Sequence, residues 1–179
     1  NGGGGSSVFV VVLFVLLAGT AFGGTISLES RNPSSRDTVI VNGGDTMVVI
    51  GHWRAGTNDT TCLVMFVRAG GVLRFNGNAR ANFGAIWLGG LSGTPWNSAN
   101  GGKLIMGAGD TLGLWNTDKL GADDFRITSG NVDIAGSPTN RAVIMGMSAS
   151  SRPHIYVSDA NTVFNATWAK FYRLGSSSS

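Results

Sequence analysis

The aspartates are the side chains of this sequence most suited to acid–base chemistry, and their spacing offers no catalytic pair. Glycoside cleavage needs two carboxylates on one face, roughly 5–10 Å apart. Asp123 and Asp124 form the only adjacent acidic pair, but neighbouring residues on a strand point to opposite faces. Asp45 and Asp110 recur in Gly-Gly-Asp-Thr and Ala-Gly-Asp-Thr, where an aspartate hydrogen-bonds its own turn. We therefore predict structural roles for these aspartates and no catalytic residue.

The histidines and the cysteine offer equally little for metal binding or nucleophilic attack. His52 and His154 are the only histidines, and neither has a Cys, His or carboxylate at the spacing of metal ligands. Cys62 is the single cysteine, which excludes an intrachain disulfide. It begins the apolar run 62–67, where we expect a buried small hydrophobe. The sequence thus predicts a non-enzymatic protein without a metal or a cofactor.

Tryptophans and asparagines supply the remaining candidates for binding and modification. Trp96 belongs to the loop 92–97, and we expect it to be the most exposed tryptophan and able to stack on a sugar. Asn58 and Asn165 begin Asn-X-Thr triplets, which are glycosylation acceptors in a secreted protein. The five tryptophans could together form a platform for sugar stacking, although some are expected in the core or in subunit contacts: Trp53, Trp87, Trp96, Trp115 and Trp168.

Short alternating apolar runs, separated by Gly, Asn and Asp, recur along the chain and must position any site. They begin about 22 to 40 residues apart and occupy 38–50, 63–76, 103–115, 125–134 and 155–164, with 85–88 as a shorter run. Alternation predicts strands with one buried face, and Gly-rich punctuation predicts tight turns. Recurrent short β-units predict the stacked coils of a solenoid.

The closing stretch 159–175, in which a turn asparagine precedes an alternating apolar strand, resembles the coils of secreted right-handed β-helix proteins. The resemblance implies an all-β, right-handed β-helix body and suggests polysaccharide binding or cleavage as one function. A β-sandwich or jelly roll explains the same strands with less regular spacing and is the alternative. In the β-helix, we expect these side chains to be mostly buried: Ile50, Val64, Phe66, Leu73, Phe75, Leu104, Leu114, Ile127, Ile134, Ile155 and Phe164.

An uninterrupted apolar segment precedes the β-units. Eleven apolar residues, 8–18, are fewer than the roughly 20 that span a bilayer, and they match the apolar region of a secretion signal. If the segment is retained, we expect it to contact other copies of the chain, a membrane through residues 8–22, or the β body. The layout is similar to that of type IV pilins, but no residue is carried over from them. The need to bury the run predicts these assembly residues: Val8, Phe9, Val10, Val11, Val12, Leu13, Phe14, Val15, Leu16 and Leu17.

Composition narrows the class of protein. Of the 179 residues 28 are Gly, 42% are apolar and only 13% are charged, which excludes a disordered chain. The net charge of +3 comes from scattered residues, so no basic cluster supports nucleic-acid binding. We predict an N-terminal segment 1–24, one β domain 25–175 and a serine tail 176–179. The expected function is an extracellular structural protein that assembles with its own copies; the alternative is a polysaccharide-binding or polysaccharide-cleaving β-helix.

Deletion of residues 1–24 tests the role of the apolar segment. Left in water, it would expose on the order of 1,000 Å² of apolar surface, worth tens of kcal/mol at about 25 cal/mol per Å² before entropy. We expect the truncated protein to be soluble and to lose assembly in electron micrographs and sedimentation. An unchanged polymer, or a mature chain that begins near Gly24, would contradict this role.

Overall fold

A computed structural model describes residues 25–28, 38–54, 64–89, 101–115, 125–147, 152–157 and 160–175. These residues form sixteen β-strands and no helix. The strands are β1 (Thr25–Leu28), β2 (Thr38–Val41), β3 (Thr46–Val49), β4 (His52–Arg54), β5 (Val64–Val67), β6 (Val72–Phe75), β7 (Arg80–Phe83), β8 (Ala85–Leu88), β9 (Lys103–Met106), β10 (Thr111–Leu114), β11 (Phe125–Ile127), β12 (Asn131–Ala135), β13 (Ala142–Gly146), β14 (Ile155–Val157), β15 (Val163–Thr167) and β16 (Ala169–Tyr172).

The strands belong to three parallel sheets that the chain visits in rotation. Sheet A has the order β1-β3-β6-β9-β12-β15, sheet B has β2-β5-β8-β11-β14, and sheet C has β4-β7-β10-β13-β16. After β1, the chain passes through sheets B, A and C in that order five times. We number these passages coil 1 (β2–β4), coil 2 (β5–β7), coil 3 (β8–β10), coil 4 (β11–β13) and coil 5 (β14–β16).

The pairing confirms the predicted β-helix and rules out the sandwich. Every pairing between the described strands is parallel, whereas a sandwich is built from antiparallel sheets. In sheet A the register aligns Thr46, Val72, Lys103, Asn131 and Val163, which are 26, 31, 28 and 32 residues apart. Coils of unequal length therefore keep their strands aligned, because extra residues are placed between strands.

The interior of the solenoid is a continuous apolar core. Alternate residues of each strand point inward, as the buried Leu104 and Met106 of β9 show against the partly exposed Lys103 and Ile105. Eight side chains that the sequence predicted to be buried are buried. Val64 and Phe66 are buried on the outer face of sheet B, and the other six belong to the interior: Leu73, Phe75, Leu104, Leu114, Ile127 and Ile134.

Three of the burial predictions were wrong or only partly right. Ile50 is 39% exposed, because it directly follows Val49, the last inward residue of β3, and therefore points outward. Ile155 and Phe164 are only partly buried. Both lie in coil 5, and no further coil covers them within the described chain.

The outer face of sheet B is also apolar at β5 and β8. Val64, Phe66, Ala85 and Trp87 form a second buried cluster, separate from the interior, and Ile40 packs against it. All four residues of β5 and of β8 are buried. A strand covered on both faces has no need for polar alternation, so these strands are nearly continuous apolar runs. This second cluster accounts for part of the low charge of the chain.

Polar residues are stacked at the corner between sheets A and C. The Asn140 side-chain nitrogen donates a hydrogen bond to the Asn78 side-chain oxygen, 3.1 Å away, and so joins coil 4 to coil 2. Gly109 of coil 3 lies between them, and a Cβ there would collide with both amide groups. Its φ of +76° is also a conformation that L side chains rarely adopt. Gly109 therefore meets a conformational and a steric requirement at once.

Gly109→Ala and Gly77→Ala together separate the conformational requirement from the steric one. Gly77 also has a positive φ, +53°, but open space where a Cβ would be. We expect Gly77→Ala to cost about 1–2 kcal/mol in the free energy of unfolding, from backbone strain alone. Gly109→Ala should cost more, because it also displaces the Asn78–Asn140 hydrogen bond. Denaturant titration measures both, and equal losses would show that the stack adds no stability.

Candidate functional site

Coil 5 exposes interior positions of the β-helix to solvent. The strand register aligns Val157 with Ile127 and Phe171 with Ile144. Val157 is 50% and Phe171 is 44% exposed, whereas Ile127 and Ile144 are buried. The rings of Phe164 and Phe171 pack at 6.1 Å between centroids, so the aromatic part of this surface is ordered by its own contacts. Coil 5 thus presents a cross-section of the core.

The same coil supplies the last strand of every sheet. β14, β15 and β16 end sheets B, A and C respectively. Within the described chain, one side of each strand has no neighbouring strand, and such edges are templates for pairing with another chain. Beside β15, the hydroxyl oxygen of Thr162 is buried without a hydrogen-bond partner among the described residues. An apolar surface and three strand edges therefore coincide.

Aromatic and basic side chains surround this surface on the outside of coil 5. The Lys170 nitrogen lies 5.3 Å from the ring centroid of Tyr172, and the Arg173 guanidinium carbon lies 4.9 Å from the same centroid. Arg126 of coil 4 is placed similarly over Tyr156, at 4.9 Å. The described residues of coil 5 contain no carboxylate. The described part of its rim is therefore positive and aromatic.

The amino-terminal end of the solenoid differs from this open end. Val41, Met47 and Val49 occupy interior positions of coil 1 and are buried. Sheet A extends one strand further than the other sheets, because β1 pairs with β3 in parallel register. The two ends of the described solenoid are therefore unlike.

Asp110 is the buried carboxylate of the described chain, and its contacts give it a structural role. One carboxylate oxygen accepts a hydrogen bond from the Gly107 amide at 2.7 Å, within its own turn. The other accepts from the Ala79 amide of coil 2 at 2.9 Å, and the Asp110 carbonyl accepts from Val143 of coil 4. Burial raises the pKa of Asp110, while the Gly107 and Ala79 amides oppose that rise. The residue joins three coils, which confirms the predicted turn contact.

The other described candidates are dispersed over the fold. Asp45 ends the turn 42–45, whose backbone closes through its amide and the Asn42 carbonyl, 3.1 Å apart. His52 lies in β4 and His154 precedes β14, at opposite ends of the solenoid. Among the described residues, no three His, Cys, Asp or Glu side chains form a group that could hold a metal ion.

The tryptophans do not form one platform. Trp87 is buried on the outer face of sheet B, and Trp115 is partly buried. Trp168 is 50% exposed at the corner between β15 and β16. Trp53 lies in β4. Asn165, the predicted glycosylation acceptor, is exposed on β15, so its side chain is accessible.

Several sequence predictions fall outside the described residues. These are the acidic pair Asp123 and Asp124, the buried Cys62, the exposed Trp96, the glycosylation acceptor Asn58 and the apolar segment from Val8 to Leu17. They stay predictions.

The exposed interior residues of coil 5 were not identified from the sequence. Alternation placed Ile155 and Phe164 in a buried face, and it would assign Val157 and Phe171 to the same face. A sequence pattern predicts whether a residue points inward or outward within its coil. It does not predict whether a further coil covers that residue. The only sequence signal was the end of the recurring phrase at residue 164.

Comparisons with protein-family models, with curated proteins and with solved structures found no significant match. Within the described ranges, the protein has no helix long and apolar enough to cross a membrane.

The raised pKa of Asp110 predicts a pH dependence of stability. Between the ordinary value of 3.8 and the raised value, the folded state holds more protons than the unfolded state, so stability falls as pH rises. The free energy of unfolding of the native chain minus that of Asp110→Asn should decrease across this window and become constant above it. The lost Gly107 contact adds only a pH-independent offset. Urea titrations at pH values from 3 to 8, in steps of about one pH unit, measure this difference in free energy.

Asp133→Asn is the matched control, because the Asp133 side chain is half-exposed and lies 3.6 Å from Lys103 at the surface. It corrects for the loss of one negative charge. A difference for Asp110→Asn that rises with pH would contradict the assignment.

Proposed function

We propose that this protein is a non-enzymatic structural protein that associates with its own copies to form a filament or layer outside the cell. The observation that carries the proposal is the exposure of Val157 and Phe171, two interior positions, beside the edges of three sheets. Burial of such side chains is worth about 1.5–3 kcal/mol each. Unpaired strand edges add backbone hydrogen bonds when another chain pairs with them.

Two sequence features support the extracellular and self-associating parts of the proposal. The apolar segment from Val8 to Leu17 matches a secretion signal or an assembly segment, and it needs cover if it is retained. Low charge and a single cysteine suit a protein that depends on packing and on contacts with its copies. The resemblance to secreted β-helix proteins and to the pilin layout points the same way.

A second candidate function is the binding of polysaccharide on the outside of coil 5. Tyr156, Tyr172 and Trp168 are exposed there, and sugars stack on aromatic rings. The described carboxylates favour binding over cleavage, since Asp45, Asp110 and Asp133 belong to coils 1, 3 and 4 and Asp110 is engaged with two amides. Loss of oligosaccharide binding in Trp168→Ala, with assembly unchanged, would support this candidate.

A pair of neighbouring substitutions tests the assembly function. Phe171 and Tyr172 are adjacent in β16 and similarly exposed, at 44% and 43%, but only Phe171 lies in an interior column. Phe171→Asp should weaken association by roughly 100-fold or more, because burying an unpaired carboxylate costs several kcal/mol and 1.4 kcal/mol is tenfold in affinity. Tyr172→Asp should have a much smaller effect. Sedimentation velocity and electron microscopy measure the assembly.

Val157→Asp provides an independent test on sheet B if Phe171→Asp disturbs folding. Circular dichroism of each variant establishes that the β-structure is retained. A native chain that stays monomeric at high concentration, or interior variants that assemble as well as Tyr172→Asp, would overturn the proposal.

A further inference from the structure

We propose that copies stack head to tail, so that β15 of one copy pairs in parallel with β1 of the next. This inference rests on the proposed self-association and specifies its geometry. The strand that meets β15 at the open surface of coil 5 is then β1 of a second copy, and sheet A continues through the contact.

The hydrogen bonds between coils give the stack its direction. At the start of sheet A strands, the amides of Val72, Lys103, Asn131 and Val163 each donate to a carbonyl of the preceding coil, at 2.9 to 3.1 Å. The acceptors are the backbone carbonyls of the residues just before each preceding strand: Asp45, Gly71, Gly102 and Gly130. In coil 5, the residue just before the sheet A strand β15 is Thr162. A strand of a second copy that continued this ladder would donate to the Thr162 carbonyl from its first residue.

β1 has the register that such a strand needs. Its first residue, Thr25, aligns with Thr46, which belongs to the same column as Val163. Two positions later, one column of sheet A contains Ser27, Val48, Arg74, Ile105, Asp133 and Asn165. Continuation of the register brings Asn165 of one copy beside Ser27 of the next, about 4.8 Å away between strands. Within the described chain, β1 ends sheet A on the opposite side and pairs with β3 alone, so its other edge is open for this role.

The apolar segment 8–17 precedes β1 by seven residues, which span at most about 25 Å when extended. Pairing of β15 with β1 therefore joins coil 5 to the strand that follows this segment in the sequence, whereas a tail-to-tail dimer contains no such contact.

Charge also disfavours the tail-to-tail arrangement. Such a dimer would place two copies of coil 5 in contact, each with Lys170 and Arg173 and no described carboxylate. Like charges opposed across strands are destabilising. The residues of β1, Thr-Ile-Ser-Leu, are uncharged, so the contact with β1 carries no such cost.

Cysteine cross-linking between differently sized copies tests the geometry. Both proteins carry the full chain with Cys62→Ser, which removes the single native thiol. One has Ser27→Cys, and the other, with an added solubility tag, has Asn165→Cys. A bifunctional maleimide with a spacer of about 8 Å, slightly longer than the strand spacing, should give a covalent heterodimer from the mixture and little product from either protein alone. Mass spectrometry of the joined peptides identifies the two positions.

Lys170→Cys replaces Asn165→Cys in the matched control, since Lys170 is exposed in coil 5 but lies on sheet C. That mixture should give at least about tenfold less heterodimer. Cross-linking of the Asn165→Cys protein with itself would establish tail-to-tail contact and overturn the inference. Assembly in sedimentation without the heterodimer would also overturn it while leaving self-association intact. Absence of any assembly would instead remove the proposed function on which it rests.

Discussion

The structure depends on a constraint of solenoids: each coil is stable only through the coils on either side of it. A strand such as β9 buries Leu104 and Met106 and obtains its backbone partners from β6 and β12. Neither requirement can be met within one coil. Coils 2 to 4 meet both requirements, whereas coil 5 has a neighbour on one side only within the described chain. The exposed Val157 and Phe171 follow directly from this constraint.

The corner between sheets A and C shows how polar side chains form hydrogen bonds where the chain turns from one sheet to the next. Asp110 supplies acceptors to amides of two coils and remains structurally useful despite the cost of burying a carboxylate. Gly109 permits the Asn78–Asn140 contact across an intervening coil. Such side chains replace regular strand pairing where the backbone changes direction. Asp110, the buried carboxylate, is therefore a fold determinant, and its features do not point to acid–base catalysis.

These two arguments favour assembly as the function. A binding or catalytic site on a β-helix would be built from side chains that the fold does not need, projecting from neighbouring coils. Here Asp110, Asn78 and Asn140 make their hydrogen bonds at a corner, and the apolar surface without cover in the described chain is a section of the core itself. A second copy can extend sheet A over this surface, because β1 supplies a further uncharged strand.

Alternation and turn residues in the sequence determined the strands and their facing. The phrase 38–50 became β2 and β3, and 125–134 became β11 and β12, because apolar alternation with Gly or Asn between runs has few other solutions. The third strand of coils 1, 2 and 4, such as β13, was missed, since the phrase there contained only two runs. Burial at Ile50, Val157 and Phe171 was decided by the tertiary structure alone. Whether an inward residue is covered depends on the corner that follows it and on the presence of the next coil, and neither is encoded in the local pattern.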